Sequence, residues 1–190
     1  MRKTSAPVDD REGRIDDRID EREVEPDPES VARTICLNLL TAAPRSRAEL
    51  ATALRKRRVP GDVANRVLDR LTDVNLIDDA AYAEAYVESR HRGRGLARAA
   101  LRAELRRKGV DEVTAGLAVE QIDGDAELAA AQALVARRLP VTSGLAPDVR
   151  ARRLVGMLQR KGYPAGLAYR VVREALAAGG AEVSDGRPRA

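Results

Sequence analysis

The sequence predicts an all-α protein built from three tandem three-helix repeats. Three observations carry this. Paired leucines four residues apart recur at Leu50/Leu54, Leu101/Leu105 and Leu154/Leu158, with 51 residues from Leu50 to Leu101 and 53 from Leu101 to Leu154. A basic last turn and a break follow each pair, at Arg58, Gly109 and Gly162. No run of alternating β-branched residues argues for a strand.

Leucines four apart share one helix face. A glycine after a basic turn is a helix stop. Arg58 lacks that signal, so the first unit's second helix is expected to run on or to end differently. After each break come an apolar residue (Val59, Val110, Tyr163) and a third helical period. That period reads Val63, Val67, Leu71 in the first unit, Val113, Leu117 in the second and Leu167, Val171 in the third. Pro60 and Pro164 fall where a helix can start. The first helix of each unit is "ESVARTICLNLLTAA", "DDAAYAEAYVESRHRG" or "DAELAAAQALVARRLP". "SRAE", residues 46–49, is a capping box, and Asp78 and Asp79 sit where a cap belongs.

The units are expected at residues 29–77, 78–123 and 124–178. Each is near the lower size limit for burying its own core. They should therefore stack into an elongated array, open to curvature. Residues 1–28 carry six basic and ten acidic side chains, net −4, which leaves +8 for the rest of a chain whose total is +4. Their charge and prolines read as a disordered tail. It could fold over the basic face or act as a spacer, and the spacer is favoured. "GGAEVSDGRPRA", residues 179–190, reads as a second flexible tail.

Composition narrows the function. Apolar residues reach 44% without Phe or Trp, which suits thin layers of Leu, Val and Ala. Tyr82, Tyr86, Tyr163 and Tyr169 are core candidates, and Cys36 is a buried filler. A lone cysteine forms no internal disulfide and no zinc knuckle. The N-terminus has no apolar signal region, and no stretch approaches the ~20 apolar residues of a membrane span, so a cytoplasmic protein is expected. His91 reads as a surface residue. No nucleophile–base pair, metal cluster or cofactor loop is present, so enzyme activity is not expected and no cofactor is assigned.

The charge is concentrated in "RHRGRGLARAALRAELRRK", residues 90–108, with eight Lys and Arg against Glu104 alone. Such a run attracts polyanions or an acidic protein surface. The candidate contact residues are Arg55, Lys56 and Arg57 in the first unit, then Arg90, Arg92, Arg94, Arg98, Arg102, Arg106, Arg107 and Lys108 in the second. Arg160 and Lys161 complete the set in the third. Arg98, Arg102 and Arg106 form a stripe beside the leucine face, read as pointing outward. Lys108 and Lys161 suit a phosphate or a partner, and equally the carbonyls at a helix C-terminus.

"NLIDDAAYAEAYVESRHRGRGLARAALRAELRRKGV", residues 75–110, resembles the signature of the bacterial RecX regulatory family. Leu76, Ile77, Asp78, Asp79, Tyr82, Arg90, Gly95, Leu105, Lys108 and Gly109 match its order and spacing. The first and third units resemble the family's first and third repeats, and the acidic N-terminal segment lies outside the pattern. The resemblance implies tandem three-helix repeats. It also implies a protein that binds the RecA recombinase and its filament on single-stranded DNA, damping ATP hydrolysis and strand exchange and so modulating recombinational repair and the SOS response. RecA and single-stranded DNA, with double-stranded DNA as a further ligand, are the implied partners, and a monomer is the default. The competing reading is a winged-helix transcription regulator, since residues 46–77 also suit a helix pair. A winged helix would continue into a two-stranded wing, where residues 78–92 look helical.

Overall fold

The computed structural model describes residues 27–185 and carries nine α-helices and one 3-10 turn there, with no strand among the described residues. The first unit is α1 (Pro28–Ala42), α2 (Arg47–Lys56) and α3 (Gly61–Asp73); the second is α4 (Asp79–Arg94), α5 (Arg98–Arg107) and α6 (Glu112–Glu120). The third is α7 (Gly124–Arg138), a 3-10 turn at Pro140–Thr142, α8 (Pro147–Arg160) and α9 (Ala165–Asp185). Residues 78–92, where the winged-helix reading needs a wing, lie almost wholly in α4. The N-terminal tail lies outside the described residues up to 26. The C-terminal tail expected from 179 does so only from 186, because α9 continues to Asp185. Alanines propagate a helix already formed, even past Gly179 and Gly180.

Local chemistry sets the helix starts. Asp27 accepts the amides of Glu29 and Ser30 at 3.4 and 3.1 Å. Ser46 and Glu49 form the expected capping box. Asp78, Asp111 and Asp123 cap α4, α6 and α7.

All three second helices end in the same way. The residue after the C-cap is left-handed, with φ of +60° at Arg58, +78° at Gly109 and +89° at Gly162. The next amide reaches back to the second leucine of the pair: Val59 to Leu54 at 3.2 Å, Val110 to Leu105 at 3.1 Å and Tyr163 to Leu158 at 3.2 Å. These are Schellman turns. Arg58 therefore stops its helix as a glycine would, contrary to the expectation that α2 would end differently.

Each unit has its own core, and its three helices pack on one another. The six paired leucines are at most 1% exposed. Cys36 is buried, which pushes its thiol pKa up. The third helices follow one register: Ala64, Val67, Leu68 and Leu71 in α3 correspond to Ala115, Ala118 and Val119 in α6 and Ile122 just beyond it, all buried. This corrects the expected period in α6. Val113 and Leu117 are 72% and 64% exposed, at positions where α3 carries Asp62 and Arg66. Bulk drew the reading to the wrong face, while the alanines carry the close packing. Tyr169 is likewise exposed, whereas Tyr163 is core and Tyr82 and Tyr86 are half-buried. His91 is half-buried too, with Nδ1 2.9 Å from the Leu96 carbonyl oxygen across the α4–α5 link.

One junction, used twice, joins the units. The C-terminal turn of α5 abuts the N-terminus of α2, and that of α8 abuts the N-terminus of α5. Ser46 Oγ donates to the Lys108 carbonyl at 2.5 Å, and the Ala97 amide donates to the Lys161 carbonyl at 2.9 Å. Ser46 and Ala97 are the two N-cap residues, and alanine, lacking a hydroxyl, uses its backbone. At the next residue, Arg47 N–H donates to Asp79 Oδ1 at 2.8 Å and Arg98 N–H to Glu127 Oε1 at 3.0 Å. In both cases the acid comes from the first helix of the following unit.

This closeness explains the two glycines. A Cβ on Gly109 would collide with the Cβ of Ala48, and one on Gly162 would lie 2.6 Å from the Cβ and the amide nitrogen of Ala100. Position 58 has no preceding unit among the described residues to meet, so a side chain fits there and only backbone strain remains. Gly109→Ala is expected to lose on the order of 2–4 kcal/mol from left-handed strain and overpacking together. Arg58→Gly is expected to gain up to about 1 kcal/mol by relieving the strain. Chemical denaturation of the two variants measures both, and equal effects at the two sites would contradict the junction.

Candidate nucleic-acid and partner interface

The basic residues divide between those engaged within the fold and those facing outward. Arg98 is the most engaged. Its Nε and Nη2 lie 3.2 and 3.0 Å from Glu127 Oε2, and the Glu127 side chain is only 7% exposed. A buried carboxylate requires such pairing, so Arg98 clamps the second unit to the third. Arg102 and Arg106 share Glu112, at 3.7 and 3.5 Å. The stripe thus lies beside the leucine face, but each member has a carboxylate neighbour. Arg92 pairs with Glu88 at 2.7 Å, and Arg90 lies 5.0 Å above the Tyr86 ring.

The two lysines that end second helices also meet the preceding unit. Lys108 Nζ donates to Glu49 Oε1 at 2.6 Å and lies 5.9 Å from the Tyr86 ring centroid. Lys161 Nζ donates to the Arg94 carbonyl at the end of α4. Among the described residues Lys161 has no acid beside it; burial and the charges of Arg137 and Arg94 lower its pKa. Tyr163 Oη adds a 3.1 Å bond to the neighbouring Gly95 carbonyl.

Other basic residues converge on one cleft, where Lys56 and Arg57 have no carboxylate partner among the described residues and Arg107 only a loose one. Lys56 and Arg57, at the end of α2, meet Arg107 and Lys108, at the end of α5, around a cleft of about 400 Å³. The sequence separates these pairs by about fifty residues; the junction brings them together. Arg45 lines the same cleft and was not singled out in the sequence, because it stands in the α1–α2 link away from the repeated basic phrase. Among the described residues, Glu49 is the one carboxylate on the lining, and Lys108 holds it. Arg107 is 71% exposed at its side chain and only 3.9 Å from Glu104. Arg55 is exposed beside Thr52, and Arg94 has an exposed side chain. Arg160 stands apart on α8, where Arg138, Arg152 and Arg153 join it around a second cavity. Those three precede the repeated phrase or lie in another helix, so its spacing did not mark them.

Among the described residues, no group of three His, Cys, Asp or Glu side chains is placed to hold a metal, and no helix is long and apolar enough to cross a membrane. The surface offers cations in forked geometry for phosphate or carboxylate oxygens.

Partial burial pushes the Glu49 carboxyl pKa up, but its bonds to Lys108, to the Ser46 amide and to Tyr82 Oη outweigh this and hold it below the ordinary value of 4.5. A carboxylate lowered on folding stabilises the fold above its unfolded pKa and loses that contribution as pH falls through the folded value. Glu49→Gln is therefore expected to lower Tm at neutral pH, with a gap to the parent that shrinks below about pH 4.5. Thermal melts across that range test it, and a constant gap would remove Glu49 from the acid limb.

Known proteins share this architecture and sequence. Family models described as the first, second and third three-helix domains of RecX match residues 32–71, 78–118 and 125–172. The regulatory protein RecX of Thermobifida fusca is 59% identical over 152 residues, covering 80% of this chain and 82% of that protein. That of Streptomyces coelicolor is 57% identical over 150 residues, covering 79% and 80%. The crystal structure of RecX from Lactobacillus salivarius superposes with a TM-score of 0.70 at 22% identity, over 77% of this chain and 96% of that one. Three repeats matched in order and relatives identical at more than half their aligned positions place this chain in the RecX family of regulatory proteins.

Proposed function

We propose that this chain regulates the RecA recombinase: it binds RecA or its filament on single-stranded DNA in the cytoplasm and inhibits ATP hydrolysis and strand exchange. Recombinational repair and the SOS response are thereby damped. Family membership supports the regulatory role, and the cleft between the first two units is the observation that carries the contact. There Lys56, Arg57 and Arg107 present cations on helix ends that the junction brings together, and Arg45 adds one from the α1–α2 link. Phosphates need charge at fixed spacing and no base-edge readout, so binding follows the backbone and weakens with salt. Arg55, Arg90 and Arg94 extend the basic surface, and Arg160 stands apart on α8. Arg98, Lys108 and Lys161 also hold the junctions and shape the field rather than reach out, while Arg92, Arg102 and Arg106 are exposed cations in surface ion pairs. Four tyrosines, of which one is core, offer little base stacking.

The test uses full-length protein. The parent is expected to slow RecA's DNA-dependent ATPase and strand exchange. Lys56→Glu, Arg57→Glu and Arg107→Glu combined should preserve helicity, weaken oligothymidylate binding by more than tenfold at moderate salt, and reduce the slope of log affinity against log salt by about 2. A parent protein that leaves RecA's ATPase and strand exchange unchanged would refute the reading. A sharp preference for one duplex sequence would point to a transcription regulator instead.

A further inference from the structure

The second helix of each unit has a face that receives the following unit. On α2 it comprises Ala48, Glu49, Ala53 and Lys56, against which the Arg107–Gly109 turn of α5 is seated. Leu50 and Leu154 are 104 residues apart, and the same step carries those four positions to Arg152, Arg153, Met157 and Arg160 of α8. These four side chains line an open cavity of about 650 Å³, bordered by Arg138 and Val141. Among the described residues no further unit is seated there. The cavity thus occupies the position that receives the following unit on α2.

Its charge differs, because the α2 face carries one acid and one base and the α8 face three arginines. In the first junction Glu49 accepts the ammonium of Lys108, and the incoming turn is basic. On α8 the position of Glu49 is Arg153. Arg138, Arg153 and Arg160 have no carboxylate partner among the described residues, and Arg152 has one, the exposed Asp148 at 3.1 Å. Between the cations lie Leu154 and Met157, with Val141 71% exposed at the rim. The lining therefore combines forked cations with an aliphatic floor, and no aromatic ring is part of it.

We propose that this α8 face is a docking site for an acidic segment of a partner protein, a helical turn that carries carboxylates beside an aliphatic side chain. Carboxylates match the guanidinium forks, and the aliphatic side chain covers Met157 and Val141. Nucleic acid fits less well, because a phosphate backbone would pair with the cations and leave the aliphatic surface of Met157 and Val141 uncovered. A second copy of this chain is also disfavoured. Its free second-helix end is the basic Arg55–Arg58 turn, and Arg58 carries a Cβ where both seated turns have glycine. This site does not rest on the reading of the α2–α5 cleft.

The experiment measures binding of a fluorescein-labelled helical peptide of Glu, Leu and Ala to the full chain by anisotropy at physiological ionic strength. A counterpart with every Glu replaced by Gln and an oligothymidylate run alongside. The acidic peptide is expected to bind. Arg153→Gln with Arg160→Gln should weaken it at least about tenfold, as should Val141→Asp, an independent change outside the core. Lys56→Gln with Arg57→Gln should leave it unchanged, and circular dichroism should show all variants folded. Four results would each overturn the proposal: no peptide binding, equal binding of the Gln peptide, equal loss in the Lys56/Arg57 variant, or loss of oligothymidylate binding alone from the α8 variants. Sedimentation showing dimers of the parent that the α8 variants disperse would assign the face to self-association and overturn it as well.

Discussion

The meeting of one helix's C-terminal turn with the preceding unit's helix start is the contact on which the molecule depends. Carbonyls left over at the end of α5 face the N-terminus of α2, and those of α8 face α5, so helix ends of opposite partial charge satisfy one another. Ser46 Oγ and the Ala97 amide close the gap directly. Asp79 and Glu127 then take the first helical amide from the other side. Each unit alone has a small aliphatic core. The junction fixes its neighbour's orientation through polar groups whose geometry tolerates little drift.

Several residues that look like surface chemistry follow from this contact. Lys108 neutralises Glu49 at the first junction and Arg98 the nearly buried Glu127 at the second. Much of the basic run in residues 90–108 is thus committed to the fold, and the positive surface shifts to the outer ends of second helices. The two end units also depart from the repeat. Arg58 stands where a seated turn needs glycine. Alignment to α5 would start α8 at residue 151, whereas it begins at Pro147.

Much of this was legible in the chain. The leucine pairs, the basic turns, the glycine stops and the Ser46–Glu49 capping box are local patterns with a period, and local hydrogen bonds enforce them. The misplaced core positions share one cause. Val113 and Leu117 satisfy a helical period, but so do Ala115, Ala118 and Val119, and only packing against α4 and α5 selects the smaller set. Tyr169 failed for the same reason.

The candidate site was less legible. The sequence by itself determined the helices, the glycine stops, the repeat and the family, because each depends on residues near one another in the chain. Only the tertiary structure decided which cations are free. That depends on carboxylates such as Glu49 and Glu127, which lie far away in sequence and reach Lys108 and Arg98 through the junction. It also decided why glycine stands at 109 and 162 but not at 58. The turn is the same in all three, and only two of them press against a neighbour's alanine.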